Sequence, residues 1–397
     1  MTPEDGWDRA AAPRAARFLF FTNECVGLGH LQRCLTLATA VVAADPSSSA
    51  LIVTGSQYVP HGLPEGVDIV KLPAMSRDSD GGYSARSLGV GTSHMSQLRA
   101  GVASAIARDF APDVVVVDKL PLGLDAELET TLRELRAGHA RIVLGLRDIE
   151  DSPEVVRRRW VEGRHGDVLE TLYDQVLVYG PETCLDMLDC VDWDRPLPPV
   201  EHVGFVGAVP EAHRPEDLPA DYVLVTFGGG VDGHPLAAAY LDALRLRPLP
   251  LPTVLVTGPL MPSDDVDDLR VRAHDLDVTV QTARPDLAAV AGHARAAVSM
   301  AGYNTVSELL RAGTPSLLVP RTRPSSEQRI RAQGLAEAGL VDVLLPEDLD
   351  AATLRDAIDA VLARPRSTSG LRDADGATRA AQVLLAQAET TRYPVAV

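Results

Sequence analysis

The segment SMAGYNTVSELLRAGTPSLL, at residues 299–318, constrains the fold of this chain more than any other. It predicts a strand end, a glycine turn at Gly302, a helix and a second strand. The N–H groups of the first helical turn have no partner inside a helix, and the helix dipole favours an anion there. The segment therefore predicts a phosphate site at the N–H groups of Asn304, Thr305 and Val306.

A carboxylate lies on the same predicted helix. Thr305 and Glu308 are three residues apart and share one helix face. A carboxylate beside a phosphate site commonly binds a ribose diol, which makes Glu308 a candidate for that role. The alternative is an ordinary strand-to-helix turn with a surface glutamate, because a turn of this pattern alone has low specificity.

The longer run GYNTVSELLRAGTPSLLVP, followed by SSEQRIRAQGLAEAGL, resembles the C-terminal donor-site signature of MurG-type glycosyltransferases. These enzymes have the GT-B fold. The resemblance implies that Gly302, Asn304 and Thr305 face the diphosphate of a nucleotide sugar. It also implies that Glu308 binds the ribose and that Gln328, on the next helix, holds the sugar.

A second glycine-rich turn follows the first predicted strand. The segment GLGHLQRCLTLA resembles the N-terminal GxGH loop of the same superfamily, which lies at the cleft beside the sugar and acceptor. Gly27 and Gly29 allow close backbone approach, and His30 would begin a helix facing the cleft. A lone histidine there is more often structural, but the GxGHxxR context favours catalysis. Arg33 is interpreted as a structural residue.

Polar residues also follow predicted buried strands of the N-terminal half. The runs ALIVT, DIVKL, DVVVVD, RIVLGL and QVLVYG predict parallel strands, whose carboxyl ends bind ligands in open α/β sheets. Asp118 and Lys119 follow one strand, and Arg147 and Asp148 follow another. We expect an acceptor pocket there, with Asp118 as a second candidate base. Each residue could instead cap a helix or form an ion pair, and that interpretation is favoured for Asp148.

The C-terminal half opens with YVLVTFGGGVDGH. Gly229 and Gly230 follow the strand directly, so their backbone can approach a phosphate. The resembling family also has a glycine turn here, usually with a serine and a glutamine that are absent from this chain. In the segment DVTVQTARPDLAAVAGH, the resemblance implies that backbone near Arg284 meets the nucleobase. Arg284 could equally be a surface loop residue.

The length of 397 residues favours two domains, and a composition poor in aromatic residues suits helices packed on parallel sheets. Together with this composition, the resemblance implies an α/β protein of the GT-B class with two Rossmann-like, doubly wound domains facing a cleft. The predicted boundaries are a frayed tail at 1–16, an acceptor-side domain at 17–205 and a nucleotide-sugar domain at 206–397. A proline-rich hinge is predicted at 192–219, and the resemblance implies that the final helix returns to the N-terminal domain.

A formal net charge of −18 argues against nucleic acid or anionic lipid as the main partner. No apolar run is long enough for an integral membrane segment, and four cysteines without CxxC spacing predict reduced thiols in the cytoplasm. The acidic triplet DSD at 78–80 is interpreted as a solvated turn, and the acidic segments at 263–268 and near 373 are interpreted as helix starts or surface. No metal site and no cofactor are predicted. The polar, glycine-rich stretch at 75–91 is expected to be an acceptor-side loop.

The resemblance implies an enzyme that transfers a sugar from a UDP-sugar to a small-molecule or carrier-bound acceptor. N-acetylglucosamine is the expected sugar, and direct displacement without a metal ion is the expected reaction. The sequence leaves room for a nucleotide-sugar hydrolase like that of the pseudaminic acid pathway, which uses water as the acceptor. A GT-B epimerase or a non-catalytic nucleotide-sugar-binding protein would also be compatible with the donor signature.

Overall fold

The computed structural model describes residues 14–22, 28–58, 60, 62–77, 82–182, 188, 196–208, 213–366 and 375–392. Several sequence predictions fall outside these residues. They concern Gly27, most of the expected N-terminal tail, the triplet at 78–80, the acidic segment near 373 and parts of the segment 192–219.

The N-terminal half contains a seven-stranded parallel sheet with the order β3-β2-β1-β6-β7-β8-β9. Its strands are β1 (Arg17–Phe21), β2 (Ser49–Thr54), β3 (Val67–Lys71), β6 (Val114–Asp118), β7 (Arg141–Arg147), β8 (Gln175–Tyr179) and β9 (Val200–His202). Helices connect them: α1 (Gly29–Ala44), α2 (Thr92–Phe110), α3 (Glu129–Ala137), α4 (Pro153–Glu162) and α5 (His165–Leu172). The five runs predicted as strands β2, β3, β6, β7 and β8 all form strands, because buried β-branched runs satisfy both faces of a parallel sheet.

The C-terminal half contains a six-stranded parallel sheet with the order β12-β11-β10-β13-β14-β15. Its strands are β10 (Val223–Thr226), β11 (Thr253–Val256), β12 (Val278–Gln281), β13 (Ala296–Ser299), β14 (Ser316–Leu318) and β15 (Asp342–Val343). Its helices are α6 (His234–Leu246), α7 (Ser263–Ala273), α8 (Leu287–His293), α9 (Tyr303–Ala312), α10 (Glu327–Glu337), α11 (Ala351–Ala363) and α12 (Gly376–Arg392). The expected α/β architecture with two doubly wound parallel sheets is confirmed.

Each sheet reverses its strand order once, between β1 and β6 in the first sheet and between β10 and β13 in the second. Phe21 pairs with Val117 at the first reversal, and Thr226 pairs with Ser299 at the second. Ligands of open α/β sheets bind outside the carboxyl ends of strands at such reversals. Many of the predicted site residues lie just beyond these strand ends, whereas Arg284 follows β12 and Gln328 lies on α10.

The last helix crosses back to the first sheet. α12 packs along α1, and Ala380, Ala381 and Leu384 are buried in a core that also contains Leu37 of α1 and Val306 of α9. One apolar core therefore runs from the first sheet into the C-terminal half, and its burial stabilises the two halves against each other.

The described part of the stretch at 75–91, which the sequence predicts to be an acceptor-side loop, includes regular structure. It contains an antiparallel hairpin of β4 (Met75–Arg77) and β5 (Tyr83–Ala85). Met75 and Met95 are buried with Leu124 in a small apolar cluster. The strands MSR and YSA are too short and too polar to predict a hairpin from the sequence.

Candidate active site

The N-termini of two helices meet between the sheets. Asn304, in the first turn of α9, donates a hydrogen bond from Nδ2 to the carbonyl oxygen of Gly29 in the first turn of α1, at 3.1 Å. Neither helix has an acidic residue in its first turn or a side-chain hydrogen bond at its N-cap. The positive ends of two helix dipoles thus converge, which favours a polyanion between them.

The structure brings His30 and Asp118, two residues 88 positions apart in sequence, into direct contact. His30 Nδ1 hydrogen-bonds to Asp118 Oδ2, and Arg33 donates to both carboxylate oxygens at 2.7 Å. The side chains of Asp118 and Arg33 are 0% and 1% exposed, whereas 18% of the His30 side chain is exposed. Asp118 therefore cannot meet an acceptor directly. Its carboxylate orients the imidazole, and the candidate bases become one histidine–aspartate pair.

Burial lowers the pKa of His30 to about 4, although the carboxylate of Asp118 acts in the opposite direction. Burial raises the pKa of Asp118 in its turn, but the charges of Arg33 and His30 outweigh burial and hold that pKa well below its usual range. At neutral pH, the imidazole of His30 is therefore neutral and the carboxylate of Asp118 is ionised. Nδ1 also lies 3.0 Å from the Arg33 guanidinium, which can only donate, but the Asp118 carboxylate is closer and can only accept. The closer contact favours a proton on Nδ1 and a lone pair on Nε2.

The glycine turn after β10 adopts backbone conformations that other residues rarely reach. Gly228 and Gly230 have φ values of 63° and 91°. A Cβ atom on Gly230 would lie 2.2 Å from the carbonyl oxygen of Thr257. The Gly230 N–H donates to the carbonyl oxygen of Phe227 at 3.2 Å. The Gly230 N–H is thus engaged within the turn, and Gly229 and Gly230 both stay candidates for backbone approach to a phosphate.

Gly302 is the N-cap of α9, and a Cβ atom on it would meet nothing within 4 Å. The N–H of Val306 bonds to the carbonyl oxygen of Gly302 at 2.9 Å, so the expectation that Val306 offers its N–H is wrong. The N–H groups left over by the helix are those of Tyr303, Asn304 and Thr305. Thr305 Oγ1 lies 3.5 Å from the Cβ position of Gly228, which places the two turns side by side.

Glu308 lies one turn further along α9. The residue is 7% exposed, and its carboxyl group forms no hydrogen bond or ion pair within the described ranges. Burial raises the pKa of this carboxyl to about 7. A buried carboxyl without a protein partner is costly, and a pair of ligand hydroxyl groups would satisfy it.

The remaining predicted donor residues have protein partners. Gln328 is buried, and its Oε1 accepts the backbone N–H of Arg321 at 3.2 Å. The guanidinium of Arg284 hydrogen-bonds to Asp217 and Asp286. The Arg284 side chain thus fixes its loop, and only its backbone is left for the role that the resemblance implied.

Charged residues at the end of β7 bind the first two turns of α10. Arg331 forms two hydrogen bonds to Asp148, which confirms the ion pair predicted for that aspartate. Arg147 pairs with Glu327 at 2.6 Å. Burial lowers the pKa of the neighbouring Lys119, whose φ of 75° is unusual for a residue other than glycine. These contacts engage Arg147, for which the sequence left an acceptor-pocket role open, and Asp148, for which an ion pair was the favoured interpretation.

Sequence reasoning missed Tyr303, the first residue of α9. Its ring centroid lies 5.3 Å from Cζ of Arg33 and 5.5 Å from Cζ of Arg331. An aromatic residue at a helix start carries no sequence signal for such contacts, because both arginines are distant in sequence. The GxGHxxR spacing was the one signal that pointed to Arg33.

Within the described ranges, no group of three or more histidine, cysteine, aspartate or glutamate side chains is arranged to hold a metal ion. The helices described there also include none with the length and apolar character needed to cross a bilayer.

Known proteins resemble this chain in sequence and in structure. Residues 223–384 match the glycosyltransferase family 28 C-terminal domain. The chain is 31% identical over 149 residues to the UDP-N-acetylglucosamine--N-acetylmuramyl-(pentapeptide) pyrophosphoryl-undecaprenol N-acetylglucosamine transferase of Pseudomonas fluorescens (strain SBW25). That match spans 37% of this chain and 42% of that enzyme, so the chain covers less than half the length of this relative.

Two solved structures resemble the whole chain. The glycotransferase of kitacinnamycin superposes with a TM-score of 0.62 at 18% identity, covering 94% of this chain and 100% of that one. MurG of Acinetobacter baumannii superposes with a TM-score of 0.54 at 14% identity, covering 95% of this chain and 98% of that one. At these identities the structures establish the fold, and the sequence match covers the C-terminal half. The whole chain therefore has the fold of the GT-B glycosyltransferases, and its residues 223–384 match a glycosyltransferase family 28 C-terminal domain.

Proposed function

We propose that this chain is a glycosyltransferase that transfers N-acetylglucosamine from UDP-N-acetylglucosamine to a hydroxyl group of a small-molecule or carrier-bound acceptor. The observation that carries the proposal is the placement of the His30–Asp118 pair on α1 and β6, directly opposite the uncapped N-terminus of α9. A base and an anion site then face each other across one cleft. The curated relative named above is an N-acetylglucosamine transferase, which supports the choice of sugar.

The donor would lie on the C-terminal half. The backbone N–H groups of Gly229 and of the first turn of α9 would hold the diphosphate, with Thr305 at its centre. Glu308 would accept hydrogen bonds from the ribose hydroxyls, and backbone near Arg284 would meet the base. Gln328 would hold the sugar with its amide nitrogen, because its oxygen is engaged by Arg321.

The chemical step would be a direct displacement. The acceptor oxygen forms a bond to the anomeric carbon while the bond from that carbon to the diphosphate oxygen breaks. His30 Nε2 takes the acceptor proton, and Asp118 stabilises the imidazolium that results. UDP leaves with the electron pair, and its negative charge is held by N–H groups that are already in place. No covalent intermediate is required.

The test is a UDP-release assay with UDP-N-acetylglucosamine, run first alone and then with a panel of hydroxyl acceptors. Acceptor-dependent UDP release, with a glycosylated product detected by mass spectrometry, is the expected result. Equal release without any acceptor would instead identify a hydrolase. Tight UDP binding with no turnover for any acceptor or for water would identify a binding protein.

A further inference from the structure

Tyr303 links the anion-binding end of α9 to the N-terminal half. It is 4% exposed, and its hydroxyl accepts the backbone N–H of Val206 at 2.9 Å. Its ring lies against the guanidinium of Arg33, the residue that holds Asp118. The residue whose own N–H opens the phosphate site therefore also touches the charge network of His30.

Arg33 depends on aromatic rings because it is buried. Its second ring contact is Tyr179, whose centroid lies 5.6 Å from Cζ of Arg33. Asp118 neutralises the charge in the plane of the guanidinium, but the faces of that group have lost their water. The negative face of an aromatic ring replaces water there, and such contacts strengthen when they are desolvated.

We propose that Tyr303 is a positioning residue, which holds Arg33 on Asp118 and through that pair orients His30 toward the donor site. This inference rests on the proposed role of His30 as the base. It adds that α9, the helix proposed to bind the diphosphate, also orients His30 in the N-terminal half. His30 would then have the correct orientation only when the two halves are packed together.

The charges that act on His30 give the inference a measurable consequence. Asp118 raises the pKa of His30, whereas Arg33 and Lys119 lower it. Without the ring of Tyr303, the guanidinium would be held less firmly on the carboxylate. The negative charge of Asp118 would then be compensated less, and the pKa of His30 would rise.

The experiment is an NMR titration of the His30 ring in the full chain, with its signals assigned by their loss in His30→Gln. Tyr303→Phe removes the hydroxyl but keeps the ring, so the pKa of His30 should stay at its original value. Replacing Tyr303 by 3,4,5-trifluorophenylalanine keeps the shape of the ring and removes its negative face. That change, like Tyr303→Leu, should raise the pKa of His30 by about one unit.

Phe205→Leu is the matched control. The Phe205 ring lies 6.0 Å from that of Tyr303, in the same core, but it has no cation–π contact with either arginine. This variant should leave the pKa of His30 unchanged. A rise in Phe205→Leu equal to that in Tyr303→Leu would overturn the inference, because general loosening of the core would then explain both.

An unchanged pKa in both the trifluoro variant and Tyr303→Leu would also overturn it. If Tyr303→Leu does not fold, the pKa of His30 in Tyr303→Phe can still be compared with that in the trifluoro variant. The two side chains differ little in shape, so a difference in pKa would come from the negative face of the ring. The titration needs no turnover. A failed UDP-release assay would therefore count against the proposed function alone, whereas an unshifted His30 titration would count against the positioning role of Tyr303.

Discussion

The guanidinium of Arg331 on α10 forms hydrogen bonds of 2.8 and 2.7 Å to the carboxylate of Asp148, which follows β7. These side chains are 1% and 0% exposed. The same guanidinium donates to the carbonyl oxygen of Ala301 at 3.0 Å, just before the turn at Gly302. A buried ion pair thus joins the turn at Gly302 in the C-terminal half to a strand end of the N-terminal half.

Removing one member of this pair should be far more damaging than removing both. Arg331→Met leaves Asp148 as a buried charge without compensation, and we expect a loss of about 3–5 kcal/mol in the free energy of unfolding. The double variant with Asp148→Leu should lose clearly less. Arg133→Met, at an exposed pair with Glu129, is the control and should cost no more than about 1 kcal/mol. Urea unfolding measures all three, and equal losses in the single and double variants would contradict this account.

Glu308 should lower stability in the absence of donor. Its pKa is about 7 in the folded chain and its ordinary value is 4.5. Between these values the folded state holds a proton that the unfolded state has lost, so stability falls as pH rises through this window. Glu308→Gln should therefore raise the free energy of unfolding by about 3 kcal/mol at pH 8, and by little at pH 4. Chemical unfolding at both pH values checks this.

The same substitution should weaken donor binding. An ionised Glu308 can accept hydrogen bonds from two ribose hydroxyls, whereas a glutamine offers one acceptor oxygen. We expect a loss of about 1.5–3 kcal/mol in UDP affinity for Glu308→Gln, measured by calorimetry at pH 8. The affinity of the unaltered chain should also fall as pH drops below 7. UDP affinity that is unchanged in the variant would remove Glu308 from the ribose site.

Two glycines of the site should respond in opposite ways to alanine. Gly302 has ordinary backbone angles and open space at its Cβ position, so Gly302→Ala should leave stability nearly unchanged and weaken UDP binding by crowding the diphosphate. Gly230 has a φ of 91°, and its Cβ would collide with the backbone of Thr257. Gly230→Ala should lower the melting temperature markedly. Thermal unfolding with and without UDP separates the two effects, and a stable Gly230→Ala would contradict the strained turn.

The periodic part of the sequence predicted the fold well. Buried strands such as VVVVD are continuous apolar runs, and their spacing along the chain requires crossover helices and parallel sheets. For the candidate site, the sequence predicted individual residues but not which of them contact each other. His30 and Asp118 were rival bases in the sequence, because nothing there states that β1 and β6 are neighbours at a reversal of strand order.

The contacts between the two halves were beyond sequence reasoning. The hydrogen bond from Asn304 to Gly29 joins residues 275 positions apart, and the ion pair of Asp148 with Arg331 spans 183. Local propensity and spacing carry no information over such distances. The close approach of Gly230 to Thr257 was also beyond sequence reasoning, because a glycine in a turn gives no sign of which backbone segment lies beside it.

Turnover should not require a divalent metal ion. The proposed diphosphate site consists of backbone N–H groups at the end of α9 and at Gly229, which supply the positive potential that a metal would otherwise provide. Excess EDTA should therefore leave the rate of UDP release within about twofold of its value without chelator. Complete loss of activity in EDTA that magnesium or manganese restores would contradict a metal-independent site.

The His30–Asp118 pair should act in the chemical step and not in donor binding. His30→Ala should lower kcat by roughly 10²–10⁴-fold, the usual contribution of a positioned general base, with UDP affinity nearly unchanged because the imidazole serves the acceptor. At saturating donor, kcat of the unaltered chain should fall as pH drops through about 4, where the imidazole gains its second proton. That limb should be absent from His30→Ala.

Asp118→Asn tests the orienting role separately. An amide can donate to Nδ1 and stabilise the other tautomer, so kcat should fall although His30 remains in place. Gln32→Ala, at an exposed neighbour on α1, is the control and should leave kcat unchanged. If His30→Ala instead loses UDP affinity while saturated turnover persists, the imidazole is a phosphate contact. In that case the acceptor proton must leave by another route, and the pair with Asp118 serves only to hold α1 in position.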